Sequence, residues 1–86
     1  MTETQVGVVT HFFDRISVAA ITVTEGGSLQ TGDTIHVKGH TTDMTTTVLT
    51  MQVEHRTVAV AAPGDVVGIQ LPGKAHEHDK VFKVTA

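Results

Sequence analysis

Hydrophobic and polar residues alternate along much of this chain with a period of two, the period of a half-buried strand. The clearest run is Thr34–Lys38, with Ile35 and Val37 on one face and His36 and Lys38 on the other. Ser17–Thr24 places Ala19, Ile21 and Val23 together, and Val66–Leu71 does the same for Val67, Ile69 and Leu71. A longer strand over Thr46–His55 sets Leu49, Met51 and Val53 against Thr50, Gln52 and Glu54. Val48 falls on the polar parity of that strand and does not fit it. Val6–Phe13 and Val81–Val84 are the first and last strands, and Arg56–Ala62 is a mixed segment whose Val58 and Val60 dip to the core.

Breaks between these runs fall at residues with turn chemistry. Asp14-Arg15 marks a change of direction, Glu25-Gly26-Gly27 a turn, Leu29–Asp33 a bend and Gly39–Met44 a polar connection. Pro63-Gly64 predicts a type II turn, because Pro presets φ at the first central position and Gly accepts a positive φ at the second. Pro72 ends the strand before it, having no N–H to give to a ladder. In Gly32-Asp33 and Gly64-Asp65, Gly takes the strained turn position and Asp accepts backbone N–H groups. Val and Thr are abundant, and Leu, Ala and Glu are nowhere concentrated at helical spacing. Six or so strands at regular spacing with turn signals between them predict an all-β fold, a small closed barrel spanning residues 1–86 as one domain, without an internal repeat.

Bulk properties narrow the function classes. Eighty-six residues make one modest core with no room for a deep cleft. There is no Cys, so neither disulfides nor thiolate chemistry arise. The formal charge of -3, with no Trp, no Tyr and three Phe, supplies neither a basic surplus nor a base-stacking platform. The N-terminus lacks a signal-peptide pattern, and no apolar stretch approaches the roughly 18 residues that span a bilayer. These features predict a soluble cytoplasmic protein without membrane contact.

Two short motifs invite a chemical reading. Gly68-Ile-Gln-Leu-Pro-Gly73-Lys74-Ala75 carries the spacing of a phosphate loop but ends on Ala75, where that loop needs a hydroxyl for Mg²⁺. A phosphate loop also opens a helix, whereas Gly68 lies in a predicted strand and Pro72 follows it. His76-Glu77-His78-Asp79 offers two imidazoles on one face of an extended segment, fewer than the three or four ligands Zn²⁺ requires. Ser17 and Ser28 have neither a nucleophile elbow nor a base at a recognisable spacing. The expectation is a protein with no catalytic residue, no metal and no cofactor.

Six segments taken in order carry a family resemblance. They are Val6-Gly7-Val8-Val9, Val18-Ala19, Gly27–Ile35, Met51-Gln52-Val53, Ala62–Ile69 and Asp79–Val84. Together they resemble the second domain of translational GTPases such as elongation factor Tu. The length is closest to the small free-standing elongation factor-like proteins of prokaryotes, and a similar domain closes some collagenase-like peptidases. The resemblance implies a closed six-stranded Greek-key β-barrel without the GTP site, which belongs to a separate domain, so no nucleotide is bound by this domain alone. It implies a non-catalytic binding module whose partner is the ribosome, transfer RNA or another protein. In the family an acid and an Arg on one strand help hold the aminoacyl end of transfer RNA, and here Gln52 and His55 stand in those places. Lys38, Gln52, His55 and Arg56 are the candidate partner-binding residues. The alternative implied is a docking or regulatory subunit of an enzyme such as a collagenase-like peptidase.

Overall fold

The structure, a computed structural model, describes residues 2–85. Among these the chain forms ten strands and no helix: β1 Thr2–Phe13, β2 Val18–Val23, β3 Leu29–Gln30, β4 Thr34–Lys38, β5 Asp43–Thr47, β6 Met51–Val53, β7 Arg56–Val58, β8 Val60–Ala61, β9 Val66–Gln70 and β10 Lys80–Thr85. Residues branched at Cβ fill these strands, where the pleated surface suits them and a helix would freeze their rotamers. Eight strands form one antiparallel sheet in the order β5-β4-β10-β1-β2-β9-β6-β7, and β3 pairs with β8 in a second, short ladder. The predicted all-β class holds. The predicted closed six-stranded barrel is not confirmed: among the described residues the long ladder passes through eight strands from β5 to β7.

Inward faces from both ends of the ladder meet in a single core. Ile35 and Val37 of β4, Val81 of β10, Ile21 of β2, Ile69 of β9 and Met51 of β6 lie in one buried cluster, with Leu29 and Ala61 of the short ladder joining it. Each fully buried aliphatic side chain contributes roughly 1.5–3 kcal/mol, so this cluster is the main source of stability. β1 contributes Val6 and Val9, which sit at opposite parity along the strand. The register irregularity between Gln5 and Gly7 on the β10 side, at Val6, accompanies this change of parity, and a second between Val9 and His11 on the β2 side precedes Phe12, which packs against the core. Each bulge adds a residue and bends β1.

The predicted strand Thr46–His55 is two elements. β5 begins earlier, at Asp43, and the chain leaves the ladder after Thr47 before β6 resumes at Met51. Val48 is buried, and Leu49 is 81% exposed, the reverse of what a continuous strand requires. Backbone bonds from Gly32 N to Val48 O and from Val48 N to Asp33 O hold the break. The parity anomaly of Val48 was the visible mark of this break. Val60 is likewise exposed, and its neighbour Ala61 takes the core position.

One turn recurs three times: Gln30-Thr31-Gly32-Asp33, Ala62-Pro63-Gly64-Asp65 and His76-Glu77-His78-Asp79. In each, the Asp N–H donates to the carbonyl three residues back, over 3.2, 3.0 and 3.2 Å. In each, an Asp carboxylate oxygen accepts the N–H of that same first residue, over 3.0, 3.0 and 2.8 Å. The third residue has a positive φ, 93° at Gly32, 91° at Gly64 and 73° at His78. Two positions past each Asp stands a core residue, Ile35, Val67 or Val81. A recurring turn feeds three of the central strands, although no repeat is visible in the sequence.

Candidate interaction surface

The outer face of the sheet carries an apolar trough across β2, β9 and β6. Its floor is set by register: Ala20 lies opposite Gly68, and Gly68 opposite Gln52. A Cβ on Gly68 would come within 3.3 Å of Val18 Cγ1, so the missing side chain is what keeps the floor open. Phe13, Ile16, Val18 and Val66 form apolar walls, and Glu54 and His55 close one end, around a cavity of about 400 Å³. Phe13, Ile16 and Val66 are large apolar side chains left about half exposed. Clustered exposure of this kind marks contact surfaces, whereas scattered exposed apolar residues do not.

The closing end is a two-residue hairpin between β6 and β7, with Val53 opposite Arg56. Glu54 and His55 both have positive φ, 51° and 65°. That is the geometry of a type I′ turn, normally filled by Asn-Gly, and it costs on the order of 1–3 kcal/mol for each residue that is not Gly. The strain falls where the two side chains face the trough.

Of the four predicted residues, the structure brings two together at this surface, Gln52 and His55. Arg56 is the next residue and is exposed at the start of β7. Lys38 is elsewhere: β10, β1, β2 and β9 lie between its strand and β6. Phe13, Ile16 and Gly68 were not picked out by sequence reasoning. The available signal was two large apolar residues flanking a turn, at Phe13 and Ile16, without an inward register.

The other motifs resolve into local structure. Gly68 is a strand residue, as the failed phosphate-loop reading requires. His76 Nδ1 and Thr42 Oγ1 are 3.1 Å apart, and Glu77 lies 3.6 Å from His11. Among the described residues no group of three or more His, Cys, Asp or Glu is placed to hold a metal ion. His36 is different: its ring bridges Glu3 on β1, at 2.9 Å, and Asp43 on β5. The hydrogen bond to Asp43 raises its pKa above the ordinary value, burial opposes the rise, and Glu3 reinforces it. No helix among the described residues is long and apolar enough to cross a membrane.

The structure is a small antiparallel β domain with a separate two-strand ladder and an apolar outer trough, and comparisons with known proteins find similar segments. The chain is 35% identical over 79 residues to an uncharacterized protease of Methanocaldococcus jannaschii, covering 91% of this chain and 19% of that protein. It superposes with a TM-score of 0.85 and 14% identity on the C-terminal domain of a Geobacillus thermoleovorans protein assigned to the U32 peptidases, covering 93% of this chain and 91% of that domain. The selenomethionine form of the same domain gives 0.83, over 91% of this chain and 96% of that one. No family model matches the chain.

These findings overturn the resemblance to elongation factor Tu and its free-standing relatives, and with it the ribosome and transfer RNA as expected partners. The physical reason lies in the motifs that carried it. Leu29–Ile35 and Ala62–Ile69 are two copies of the recurring turn followed by a strand, and His76–Asp79 is a third without the Gly. Such motifs report turn geometry, which unrelated antiparallel domains share.

Proposed function

We propose that this chain is a non-catalytic docking module of a collagenase-like peptidase, with the body of the peptidase as its protein partner. The observation that carries the reading is the open apolar trough of Phe13, Ile16, Val18, Gly68 and Val66, flanked by a strained hairpin. The occupant is the peptidase body, because the alignment joins a segment of this kind to a protease five times its length in the same polypeptide. Apolar anchors surrounded by polar residues such as Gln52, Glu54 and His55 are the composition of a protein contact.

The test is retention from extract of the source cells on a tagged chain, read by mass spectrometry. The wild-type chain retains a U32-type peptidase polypeptide in a nuclease-insensitive manner. The pair Ile16→Asp and Val66→Asp, both at exposed positions that leave the core intact, loses it. Equal retention by the double variant, or no peptidase retained, refutes the reading.

A further inference from the structure

A second surface, on β4 and β10 and separated from the trough by β1, carries an unpaired concentration of positive charge. Lys38 and Lys80 are directly opposite each other in the ladder. Like charges in that relation are destabilising. With Gly39, His40, His78 and Phe82 they line a cavity of about 490 Å³. Neither Lys has a carboxylate within ion-pair distance among the described residues; the ion pairs of the other lysines are Lys74 with Asp14 and Lys83 with Asp33. The acid best placed to neutralise them, Asp43 opposite Lys38, is bonded to His36. Asp79, next to His78, is buried and turned to the His76 N–H.

The backbone supplies a second, independent sign. Of the three recurring turns, two place Gly at the positive-φ position and the third places His78, whose side chain lines this cavity. A side chain at this position bears a strain that Gly would relieve, and strained residues of this kind cluster at ligand sites. We propose that this cavity is a binding site for an acidic peptide segment, with Lys38 and Lys80 opposing its carboxylates, ring N–H groups of His40 and His78 donating to them, and Phe82 as the apolar floor.

An acidic peptide fits better than nucleic acid. The net charge of the chain is -3 rather than the basic surplus that holds nucleic acid, so the chain as a whole offers a long polyanion no general attraction. Phe82 is the one aromatic ring lining it besides the two imidazoles, too little for a track of stacked bases. A few adjacent carboxylates on a peptide match the span of two paired strands, about 5 Å.

The experiment is an amide ¹H–¹⁵N titration of the whole chain at low salt with hexaglutamate, with hexalysine and a short single-stranded RNA as separate arms. Hexaglutamate shifts the amides of Lys38, Gly39, His40, His78 and Lys80 and leaves those of the trough in place. The double variant Lys38→Gln and Lys80→Gln weakens binding about tenfold, and both changes fall at exposed positions that do not perturb folding. His78→Gly raises the melting temperature while weakening hexaglutamate, a split that a purely structural role for His78 does not produce. Binding of hexaglutamate unaffected by the double variant, no localised shifts, or tighter binding of RNA than of hexaglutamate overturns the proposal. The outcome is independent of whether the trough binds a peptidase.

Discussion

The turns at Ala62–Asp65 and at His76–Asp79 meet the same geometric demand with different residues. Both return an Asp carboxylate to an N–H three residues back and launch a strand whose second residue enters the core. The first relaxes its positive φ with Gly64 and presets its other central residue with Pro63. The second uses Glu77 and His78 and bears the strain. The second is also the better buried: Asp79 is 5% exposed, whereas Asp65 is only half-buried. Both turns are tied to a neighbouring strand in the same way: Val9 N donates to Asp79 O and His78 N to Val9 O at 2.8 Å, and Val23 N donates to Asp65 O and Gly64 N to Val23 O at 2.9 Å. Gly39 lies so close to the Asp79 carboxylate that any Cβ there would collide with it. The comparison teaches that the Asp, not the Gly, is the shared element of this turn, and that the αL position can carry a side chain at a cost in strain.

Substitutions at the two turns sharpen that contrast. The largest effect is expected for Asp79→Ala, which leaves the His76 N–H without its acceptor in a buried setting and costs about 2–3 kcal/mol. Asp65→Ala, in a wetter setting where water can replace the carboxylate, costs about 1 kcal/mol. Denaturant unfolding of the two variants checks the order; equal losses would show that burial does not distinguish the turns. Exchanging the αL residues comes next: Gly64→His is expected to destabilise by about 1–2 kcal/mol and His78→Gly to stabilise by about 1 kcal/mol. For a domain of this size the latter raises the melting temperature by roughly 4–8 °C. Replacing Glu54-His55 by Asn-Gly relieves the other strained turn and stabilises by a similar amount, about 1 kcal/mol, while weakening the docking contact.

The smallest effect is electrostatic. The folded chain raises the pKa of His36, chiefly through Asp43, so the protonated ring is the form that the fold favours. That contribution is full below the unfolded value near 6.5 and is lost as pH rises through the higher folded value. Both carboxylates are substantially exposed, which holds the effect below about 1 kcal/mol. Thermal melts of wild type should therefore fall slightly between pH 6 and pH 8.5, and His36→Gln should flatten the slope.

Much of the fold was legible because core burial and strand period coincide. Ile35 and Val37, Ala19 to Val23, and Val67 to Leu71 all face inward as alternation requires, and Pro63-Gly64 forms its turn as predicted. Alternation failed where the chain leaves a ladder without a Gly or Pro to announce it. The break after Thr47 is held by backbone bonds to Gly32 and Asp33, partners distant in sequence that no local pattern reports. Closure is beyond the reach of local patterns for the same reason, since which strands pair is decided by register between remote segments. The site was legible only in part: Gln52 and His55 were named, but the trough depends on Gly68 facing Ala20 across strands. Lys38 lies apart from the trough, and Lys80, forty-two positions away in the chain, is directly opposite it in the sheet, a pairing no local pattern reports.

The central claim is that the outer trough, and not the basic cavity, receives the peptidase body. Amide hydrogen exchange of the chain alone and in complex with that body tests it directly. The account predicts new protection at Val18–Ala20, Gln52–His55 and Val66–Gly68, with Lys38–His40 and His78–Lys80 exchanging as before. Protection confined to Lys38–His40 and His78–Lys80, or none anywhere, would contradict it.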